Sequence, residues 1–325
     1  MMHPKVSLQI TLAPSDFAHA RYLLPHQIRT WRDQVDEILL TIDFHRSKGR
    51  FSERWSDGAK KIRPLAESIS DARVLDVDYS AATQAAVANE FFGGTLPPAK
   101  DFRGGPYYSY FFGLHAVQND YVLHVDSDMF FGGGSKTWIA EAFNRLGRDP
   151  RILIAAPLSG PPALDGSLRF LKAMPDRREV HTHRFDVMST RLFLISKAVF
   201  QSQVSALKPR PPPAWKSRVI ARLEGNPVAD LPEHVITDQM RQRGLYRLEF
   251  LGSQPGMWSL HPPYRGLDFY RKLPDLVRRI EAGDIPEAQR GDHDINDSMV
   301  DWTEGRTALR KNRIWRRVGR RWFHR

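Results

Sequence analysis

The sequence of this 325-residue chain predicts an α/β protein with a mostly parallel β-sheet and helices on both faces. Short apolar runs alternate with stretches of helical periodicity through the first half of the chain, and this alternation is typical of strand–helix–strand units. Hydrophobic residues make up 41% of the chain, which is enough to cover both faces of a sheet. No run approaches the ~18–20 apolar residues of a membrane span.

The predicted elements follow one another regularly up to residue 156 and less regularly after it. The strands cover residues 6–12, 35–44, 72–77, 121–125, 151–156, 191–196 and 246–251. The helices cover residues 17–34, 107–118, 137–145, 197–204 and 238–243, and the pattern from residue 271 onward is helical and charged. Asp16 is predicted to cap the first helix, and Pro25 to kink or split it because proline lacks an amide donor. The proline-rich residues 208–215 are predicted to form a loop.

Charge and cysteine content narrow the class of protein. The chain has no cysteine, which excludes disulfides and thiolate metal sites and suits a reducing compartment. The net charge is +11, but residues 310–325 contain eight Arg or Lys and no acid, so the rest of the chain is close to neutral. Residues 1–14 alternate like a strand and lack the apolar core of a signal peptide. The sequence therefore predicts a cytoplasmic protein with a cationic tail.

Residues 121–137, YVLHVDSDMFFGGGSKT, combine two features of nucleotide sites: a glycine run before Lys136 and a pair of aspartates. A phosphate-binding loop needs glycine, four residues, and then Gly-Lys-Ser/Thr. Phe130 and Ser135 stand where that motif requires its two glycines. The glycine run is therefore interpreted as a turn that leads into a helix.

The aspartates, Asp126 and Asp128, follow directly on an apolar strand. In extended backbone, side chains two residues apart point to the same side, so both carboxylates are expected to face one ligand. Carboxylate oxygens suit Mg²⁺ or Mn²⁺, which also bind substrate phosphates. Ligands of open α/β sheets bind beyond the carboxyl ends of the strands, where this pair lies. The simpler alternative is that the pair only caps a turn.

A strand, Asp-x-Asp, a turn and a helix, preceded by two strand–helix units, resemble the GT-A glycosyltransferases, especially the inverting family 2 type. The resemblance covers the order of elements over roughly residues 5–265. It implies a nucleotide-sugar donor, a UDP-sugar first, and a divalent metal, Mn²⁺ or Mg²⁺. It also implies that Asp128 binds the metal and that Asp126 contacts the metal or the ribose.

Further positions match the same family. Asp43 closes the second strand, where the family reads the nucleobase, although Phe44 follows instead of the usual Asp-Asp-Gly-Ser continuation. Asp238 is placed at a predicted helix start, where the family has its catalytic base, with Thr237 instead of the usual preceding glutamate. His261 follows a strand and is expected to complete the metal site. Arg103 in DFRGGPYY is a candidate for binding phosphate, since arginine offers a planar fork.

The predicted organisation is a catalytic domain over residues 1–270, with a donor half near 1–156 and an acceptor half near 157–270, and a helical basic extension over 271–325. Residues 306–325 are expected to contact an anionic membrane at its inner face, or simply to be solvated, and no nucleic acid is expected. Such contact fits a lipid-linked or cell-envelope glycan acceptor. Residues 291–304 miss the calcium-loop pattern and are expected to be a solvated acidic loop.

Two other functions remain open from the sequence. The departures after Asp43 and before Asp238 leave room for a glycosyltransferase-like binding module without catalysis at the membrane surface. A sugar nucleotidyltransferase also uses paired acids on an α/β sheet. That class normally has a glycine-rich basic loop after the first strand, whereas residues 11–21, TLAPSDFAHAR, contain no glycine.

Overall fold

The computed structural model describes residues 4–48, 54–175, 179–204 and 206–311, and within these ranges it contains eleven strands and eleven α-helices. The strands are β1 (Val6–Leu12), β2 (Glu37–Ile42), β3 (Ala72–Asp76), β4 (Tyr121–Asp126), β5 (Phe130–Gly132), β6 (Ile152–Ser159), β7 (Met174–Pro175), β8 (Thr182–Phe185), β9 (Leu192–Ser196), β10 (Tyr246–Phe250) and β11 (Trp258–Leu260). The helices are α1 (Phe17–Trp31), α2 (Trp55–Gly58), α3 (Ile62–Glu67), α4 (Ala81–Phe92), α5 (Tyr108–Ala116), α6 (Trp138–Arg148), α7 (Lys197–Gln203), α8 (Trp215–Glu224), α9 (Pro232–Arg243), α10 (Leu267–Glu281) and α11 (Thr303–Lys311).

The central sheet confirms the predicted class. Its strand order is β3-β2-β1-β4-β9-β6-β10-β8-β7, and β11 pairs with β6 and with β5 beside this path. Strands β3, β2, β1 and β4 are mutually parallel, as are β6 and β10. Strand β9 lies antiparallel between β4 and β6. An apolar run has the same local pattern in either direction, so the sequence did not show which strands would run antiparallel.

Hydrophobic side chains pack on both faces of the sheet, as the two helical layers require. On one face, the rings of Trp31 in α1 and Trp138 in α6 meet edge to face with centroids 5.8 Å apart. On the other face, Phe92 of α4 packs edge to face on Phe111 of α5, 4.6 Å between centroids. Alternate residues of β1, β2 and β4 point to opposite faces, and this period of two fixes the register of the sheet.

The start of α1 differs from the prediction. Asp16 ends a 3₁₀ turn (Pro14–Asp16), and its side chain forms no capping hydrogen bond with α1. Its Oδ2 instead accepts a hydrogen bond from the backbone N–H of Ala13, 2.9 Å away. Helix α1 continues through Pro25, so the prediction of a split helix there is wrong. The 3₁₀ turn forms because Pro14 presets a helical φ before the regular helix begins.

The glycine run forms a short strand and a turn, and Lys136 lies away from any phosphate-loop geometry. Strand β5 ends at Gly132, where a Cβ would lie 2.1 Å from the ring of Trp258. Gly133 has φ +88° and a Cβ there would meet the carbonyl oxygen of Gly256 at 2.4 Å. The Lys136 Nζ forms an exposed ion pair with Asp33 at 2.9 Å. These glycines are needed for close packing against β11 and its preceding turn.

The segment 291–304 is not the solvated acidic loop that its composition suggests. Ile295, Val300 and Trp302 are buried in a third hydrophobic cluster, with α10 and the side chain of Phe130. The Trp302 ring packs on Phe269 of α10 with 5.7 Å between centroids. Apolar residues spaced among the acids anchor the segment to the body, while the acids Asp294, Asp297 and Asp301 remain exposed.

The predicted boundary at residue 270 falls inside α10, which packs against α1 and β5. The division into 1–270 and 271–325 stays a prediction. Helix α11 is part of the predicted basic extension, and residues 312–325 lie outside the described residues. Within the described ranges, no helix is both long enough and apolar enough to cross a membrane.

Candidate functional site

The candidate site lies at the carboxyl edge of the parallel strands. The chain runs from β1 to β2 and β3 on one side and returns to β4 on the other, so the crevice between β1 and β4 is the switch point of the sheet. Thr11 near the end of β1 is in register with Asp126 at the end of β4. Asp43 follows β2 at the same edge. Ligands of open α/β sheets bind at such switch points.

Asp128 is buried at this edge, with 3% of its surface exposed. Its Oδ2 forms an ion pair with the guanidinium of Arg265 and lies 3.5 Å from the Nε2 of His261. Burial alone would raise the pKa of Asp128, but the charges of Arg265 and His261 outweigh it and hold the pKa well below its usual range. Asp128 is therefore a fixed negative charge at neutral pH.

His261 follows β11 and is oriented by a carboxylate on its far side. Its Nδ1 lies 3.1 Å from Oδ1 of Asp294, and its ring is stacked on His293 with centroids 6.1 Å apart. Burial lowers the pKa of His261, but the carboxylates of Asp128 and Asp294 raise it by more than burial lowers it, so the pKa is raised. A carboxylate behind an imidazole fixes the tautomer that presents Nε2 to Asp128, which is common around metal-binding histidines.

Asp126 and Asp128 contact different neighbours in this structure, and a shared ligand stays a prediction. Strand β4 ends at Asp126, and residues 127–128 form a turn, so the alternation of an extended strand does not apply to the pair. The Oδ1 of Asp126 lies 3.3 Å from Nε2 of His124 and accepts a hydrogen bond of 3.3 Å from the hydroxyl of Tyr110. The two carboxylates therefore face different neighbours.

The donor set suits a cation that is bound together with a phosphate ligand. Among the described residues, no three His, Asp or Glu side chains are grouped as a complete metal cage. Asp128 and His261 supply one carboxylate and one imidazole 3.5 Å apart. Mg²⁺ commonly takes one or two protein carboxylates and completes its shell with waters and substrate phosphates. The residues present fit an ion of that kind, and the negative charge of Asp128 is balanced here by Arg265.

Asp43 lies where the sequence predicts, but it is already paired. It is 1% exposed, and its Oδ2 accepts a hydrogen bond of 2.6 Å from Nζ of Lys100, which is itself 4% exposed. Its Oδ1 accepts from the hydroxyl of Tyr79 at 3.1 Å and from the backbone N–H of His45 at 2.9 Å. The ring of His45 is 5.1 Å from that of Tyr79. These contacts form a buried polar cluster beside two aromatic rings.

The sequence analysis expected Asp238 to begin a helix, but the structure shows that it does not. Helix α9 begins at Pro232, and Asp238 lies in its middle, half-buried and paired with the guanidinium of Arg210. Proline at the first helical position followed by an acid is a strong helix start signal. The acid of the first turn is Glu233.

Glu233 is linked to the strand-end acids through two hydroxyl groups. Its Oε2 accepts a hydrogen bond of 3.0 Å from Oγ1 of Thr190. The Thr190 hydroxyl lies beside the hydroxyl of Tyr110, which donates to Asp126. Glu233 is thereby on the same polar surface as Asp126, at the start of a helix whose dipole stabilises its negative charge.

Arg103 is exposed, and its guanidinium lies over the ring of Phe102, 5.0 Å from the centroid. Its backbone N–H donates to Oδ1 of Asp101 at 2.6 Å. The structure places the side chain of Lys100, and not that of Arg103, in contact with an acid of the site. Phosphate binding by Arg103 stays a prediction.

Two further titratable groups are buried behind Asp128. Burial raises the pKa of Asp16 to about 6, against the opposing charge of Arg265. Burial also lowers the pKa of His19 to about 3, and the nearby Arg265 adds to this effect. The Nε2 of His19 lies 3.1 Å from Oγ of Ser127, the residue between the two aspartates. His19 is therefore neutral at pH 7 and supports the turn that contains Asp128.

The neutral state of His19 predicts a loss of stability in acid. In the unfolded chain histidine takes up a proton below pH 6.5, whereas the folded protein does not until about pH 3. The stabilisation from the neutral ring is thus full above pH 6.5 and falls as the pH drops. At pH 5 we expect a loss of about 2 kcal/mol, which His19→Gln should avoid because glutamine does not titrate.

Urea unfolding of wild type and His19→Gln at pH 7.5 and pH 5.0 measures this difference. His45→Gln, at an exposed position, is the matched control and should behave like wild type. An equal loss of unfolding free energy in wild type and His19→Gln would show that His19 does not contribute to the acid sensitivity.

Several residues of the site escaped the sequence analysis. They are Asp16, Lys100, Glu233, Arg265 and Asp294. Only Glu233 had a local signal, since Pro-Glu after an extended residue is a typical helix start. The other four are common surface residue types whose partners lie far away in sequence.

Comparison with known proteins gives similarity of structure only. No family model matches the sequence, and no curated protein matches it. The galactosyltransferase LgtC, in complex with donor and acceptor sugar analogues, matches with 14% identity and a TM-score of 0.31 over 60% of this chain. This match spans 59% of LgtC, less than two thirds of its length.

Two other solved structures are similar over more of the chain. Glucosyl-3-phosphoglycerate synthase from Mycobacterium tuberculosis, in complex with Mn²⁺, UDP and glucosyl-3-phosphoglycerate, shows 11% identity and a TM-score of 0.38, covering 85% of this chain and 78% of its own. The inositol-1-phosphate CTP transferase from T. maritima shows 13% identity and a TM-score of 0.40, covering 86% and 99%. At TM-scores below 0.5, these three matches carry no argument about function.

Proposed function

We propose that this chain is a glycosyltransferase that moves a sugar from a nucleotide-sugar donor, with UDP-sugars first, to a hydroxyl acceptor. The observation that supports this most is the meeting of acids from separate strands at the switch point of the sheet. Asp43 follows β2, and Asp126 and Asp128 follow β4, with His261 brought to Asp128 from the end of β11. A nucleoside diphosphate needs such a site: polar groups for the base, and a cation site for the phosphates.

In the proposed site, Asp128 and His261 hold a divalent metal, Mn²⁺ or Mg²⁺, and Asp126 contacts the metal or the ribose. When bound, such an ion neutralises the charge that develops on a diphosphate leaving group. Asp294 fixes the imidazole of His261, and His19 supports Ser127, so both protein ligands are oriented before the donor arrives.

The remaining polar groups are assigned to the donor by their chemistry. The pocket of Asp43 and Lys100 offers an acceptor and a donor for a nucleobase edge, and the ring of Tyr79 or His45 offers a stacking surface. Arg265 is the guanidinium beside Asp128 and is proposed to bind the diphosphate. Arg103 is a second, more exposed candidate for that role.

A base must take the proton from the acceptor hydroxyl as it attacks the sugar. Direct displacement of the diphosphate inverts the anomeric centre. The sequence assigned this role to Asp238, which is paired with Arg210 in the structure. Glu233 is the stronger candidate, because the hydroxyls of Thr190 and Tyr110 lie between it and Asp126. Its carboxylate is half-buried in the first turn of α9, where it would accept the proton as general base.

The acceptor and the cellular setting rest on the sequence. A cell-envelope glycan or lipid-linked acceptor, a cytoplasmic location and contact of residues 306–325 with the inner membrane face stay proposals. Most of that segment lies outside the described residues.

A donor screen tests the proposed function. UDP-, GDP-, CMP- and dTDP-sugars are incubated with the full chain and Mn²⁺, and release of the nucleotide is measured with and without EDTA. We expect release from a UDP-sugar that EDTA abolishes. Absence of both binding and release for every donor contradicts the proposal. Nucleotide binding without turnover would favour a non-catalytic binding module, and formation of a nucleotide sugar from a nucleoside triphosphate and a sugar phosphate would favour a nucleotidyltransferase.

A further inference from the structure

A second cavity adjoins the strand-end acids on the side of β6 and β10. Its volume is about 200 Å³, and its wall includes Met129, which follows Asp128, and Ser259 of β11. His293 also lines it, and the other face of that ring is stacked on His261. The cavity therefore opens next to the proposed metal site and is separate from the pocket around Asp43.

The floor of this cavity contains a buried ion pair with spare hydrogen-bonding capacity. Arg247 and Glu249 both lie on β10, and Nη2 of Arg247 is 3.0 Å from Oε1 of Glu249. The other oxygen of Glu249, Oε2, accepts from the backbone N–H of Ser159 at 3.2 Å. Arg247 is 6% exposed, and its Nε has no hydrogen-bond partner. A buried guanidinium N–H without a partner is costly, so a bound acceptor group would satisfy it.

The guanidinium of Arg191 adds a second positive charge to the wall of the cavity. Arg191 is exposed and precedes β9. The Nδ1 of His293, which also lines the cavity, lacks a hydrogen-bond partner. Two arginines and one carboxylate that is already bound on both oxygens leave the cavity with a net positive charge.

We propose that this cavity binds the acceptor through an anionic group, so that the acceptor unit is a single monosaccharide-sized polyol bearing a carboxylate or a phosphate ester. The volume equals that of about seven waters, at about 30 Å³ each, and lies below the ~300–1,000 Å³ of sites for larger ligands. The anion pairs with the guanidinium groups of Arg191 and Arg247, since arginine binds both carboxylate and phosphate. The side chains of Ser159, Ser259 and His293 also line the cavity and would hydrogen-bond to the hydroxyl groups of the acceptor.

The assignment of this ligand as the acceptor rests on the proposed function, whereas the chemical class of the ligand follows from the cavity itself. The glycan or lipid-linked acceptor expected from the sequence fits only if its terminal unit carries such an anion. A free anionic sugar fits equally, and sugars that carry either a carboxylate or a phosphate distinguish the two anions.

Isothermal titration of the full chain without donor tests the inference. The probes are D-glucuronate, glucose 6-phosphate and glucose, and the proteins are wild type, Arg191→Gln and Arg278→Gln. Arg191 is exposed, so its replacement should leave the fold intact, whereas removal of Arg247 would leave Glu249 buried and unpaired. Arg278 is 79% exposed on α10, away from the residues that line the cavity, and serves as the matched control.

We expect at least one anionic probe to bind about tenfold more tightly than glucose, and Arg191→Gln to abolish that preference while Arg278→Gln keeps it. If only glucuronate binds more tightly than glucose, the acceptor carries a carboxylate. If only glucose 6-phosphate does, the acceptor carries a phosphate ester. Equal binding of all three probes, or an equal loss in both arginine variants, overturns the inference. Because no donor is present, these outcomes are independent of whether the donor screen succeeds.

Discussion

Replacement of Asp128 with asparagine is expected to reduce donor turnover about 100- to 1,000-fold. Asp128 is the buried carboxylate that meets His261, and asparagine keeps its shape while removing its charge. A neutral amide binds a divalent ion far more weakly than a carboxylate does. Turnover of a UDP-sugar with Mn²⁺, together with the Mn²⁺ concentration that gives half-maximal rate, measures the effect.

Asp33→Asn is the control for this experiment. Asp33 is exposed, pairs with Lys136 after the glycine run, and should leave turnover unchanged. Loss of Asp128 also leaves Arg265 without its ion pair, so the melting temperatures of both variants are compared with wild type. Full turnover in Asp128→Asn would show that the Asp128 carboxylate is not needed for the reaction, and it would contradict the proposed metal site.

Glu233→Gln is expected to lower kcat about 100- to 10,000-fold, the range that a positioned general base contributes, while Asp238→Asn lowers it less than about tenfold. Glu233 lies on the polar surface that leads through Thr190 and Tyr110 to Asp126. Asp238 is paired with Arg210, which holds its carboxylate in an ion pair instead of leaving it open to a proton. The two variants are compared at saturating donor, with kcat and KM measured separately.

The opposite ranking, with Asp238→Asn severe and Glu233→Gln mild, would restore the role that the sequence gave to Asp238. The low-pH side of the rate profile gives a second readout. A rate that depends on an ionised carboxylate falls in acid, and this fall disappears in the variant that has lost the base.

Local sequence pattern was sufficient for the class of fold and for the strand-end acids. Short apolar runs mark the strands that lead to Asp43 and Asp126, and an acid at the end of such a run is placed at the sheet edge by chain geometry alone. The same reasoning placed the start of α9 at Asp238 and interpreted the whole of residues 291–304 as a solvated loop. Both failed because the deciding signals lay outside the motif: Pro232 before it, and buried Ile295 and Trp302 among the acids.

By itself, the sequence determined an α/β sheet with Asp43, Asp126 and Asp128 at its carboxyl edge, because backbone hydrogen bonding and hydrophobic burial repeat with periods that are readable over a few residues. Only the tertiary structure decided what each acid meets. Arg265 reaches Asp128 across 137 residues, and Lys100 reaches Asp43 across 57. Charge pairs depend on distances of a few ångströms in space, which the packing of the whole sheet and α10 fixes and which no local pattern contains.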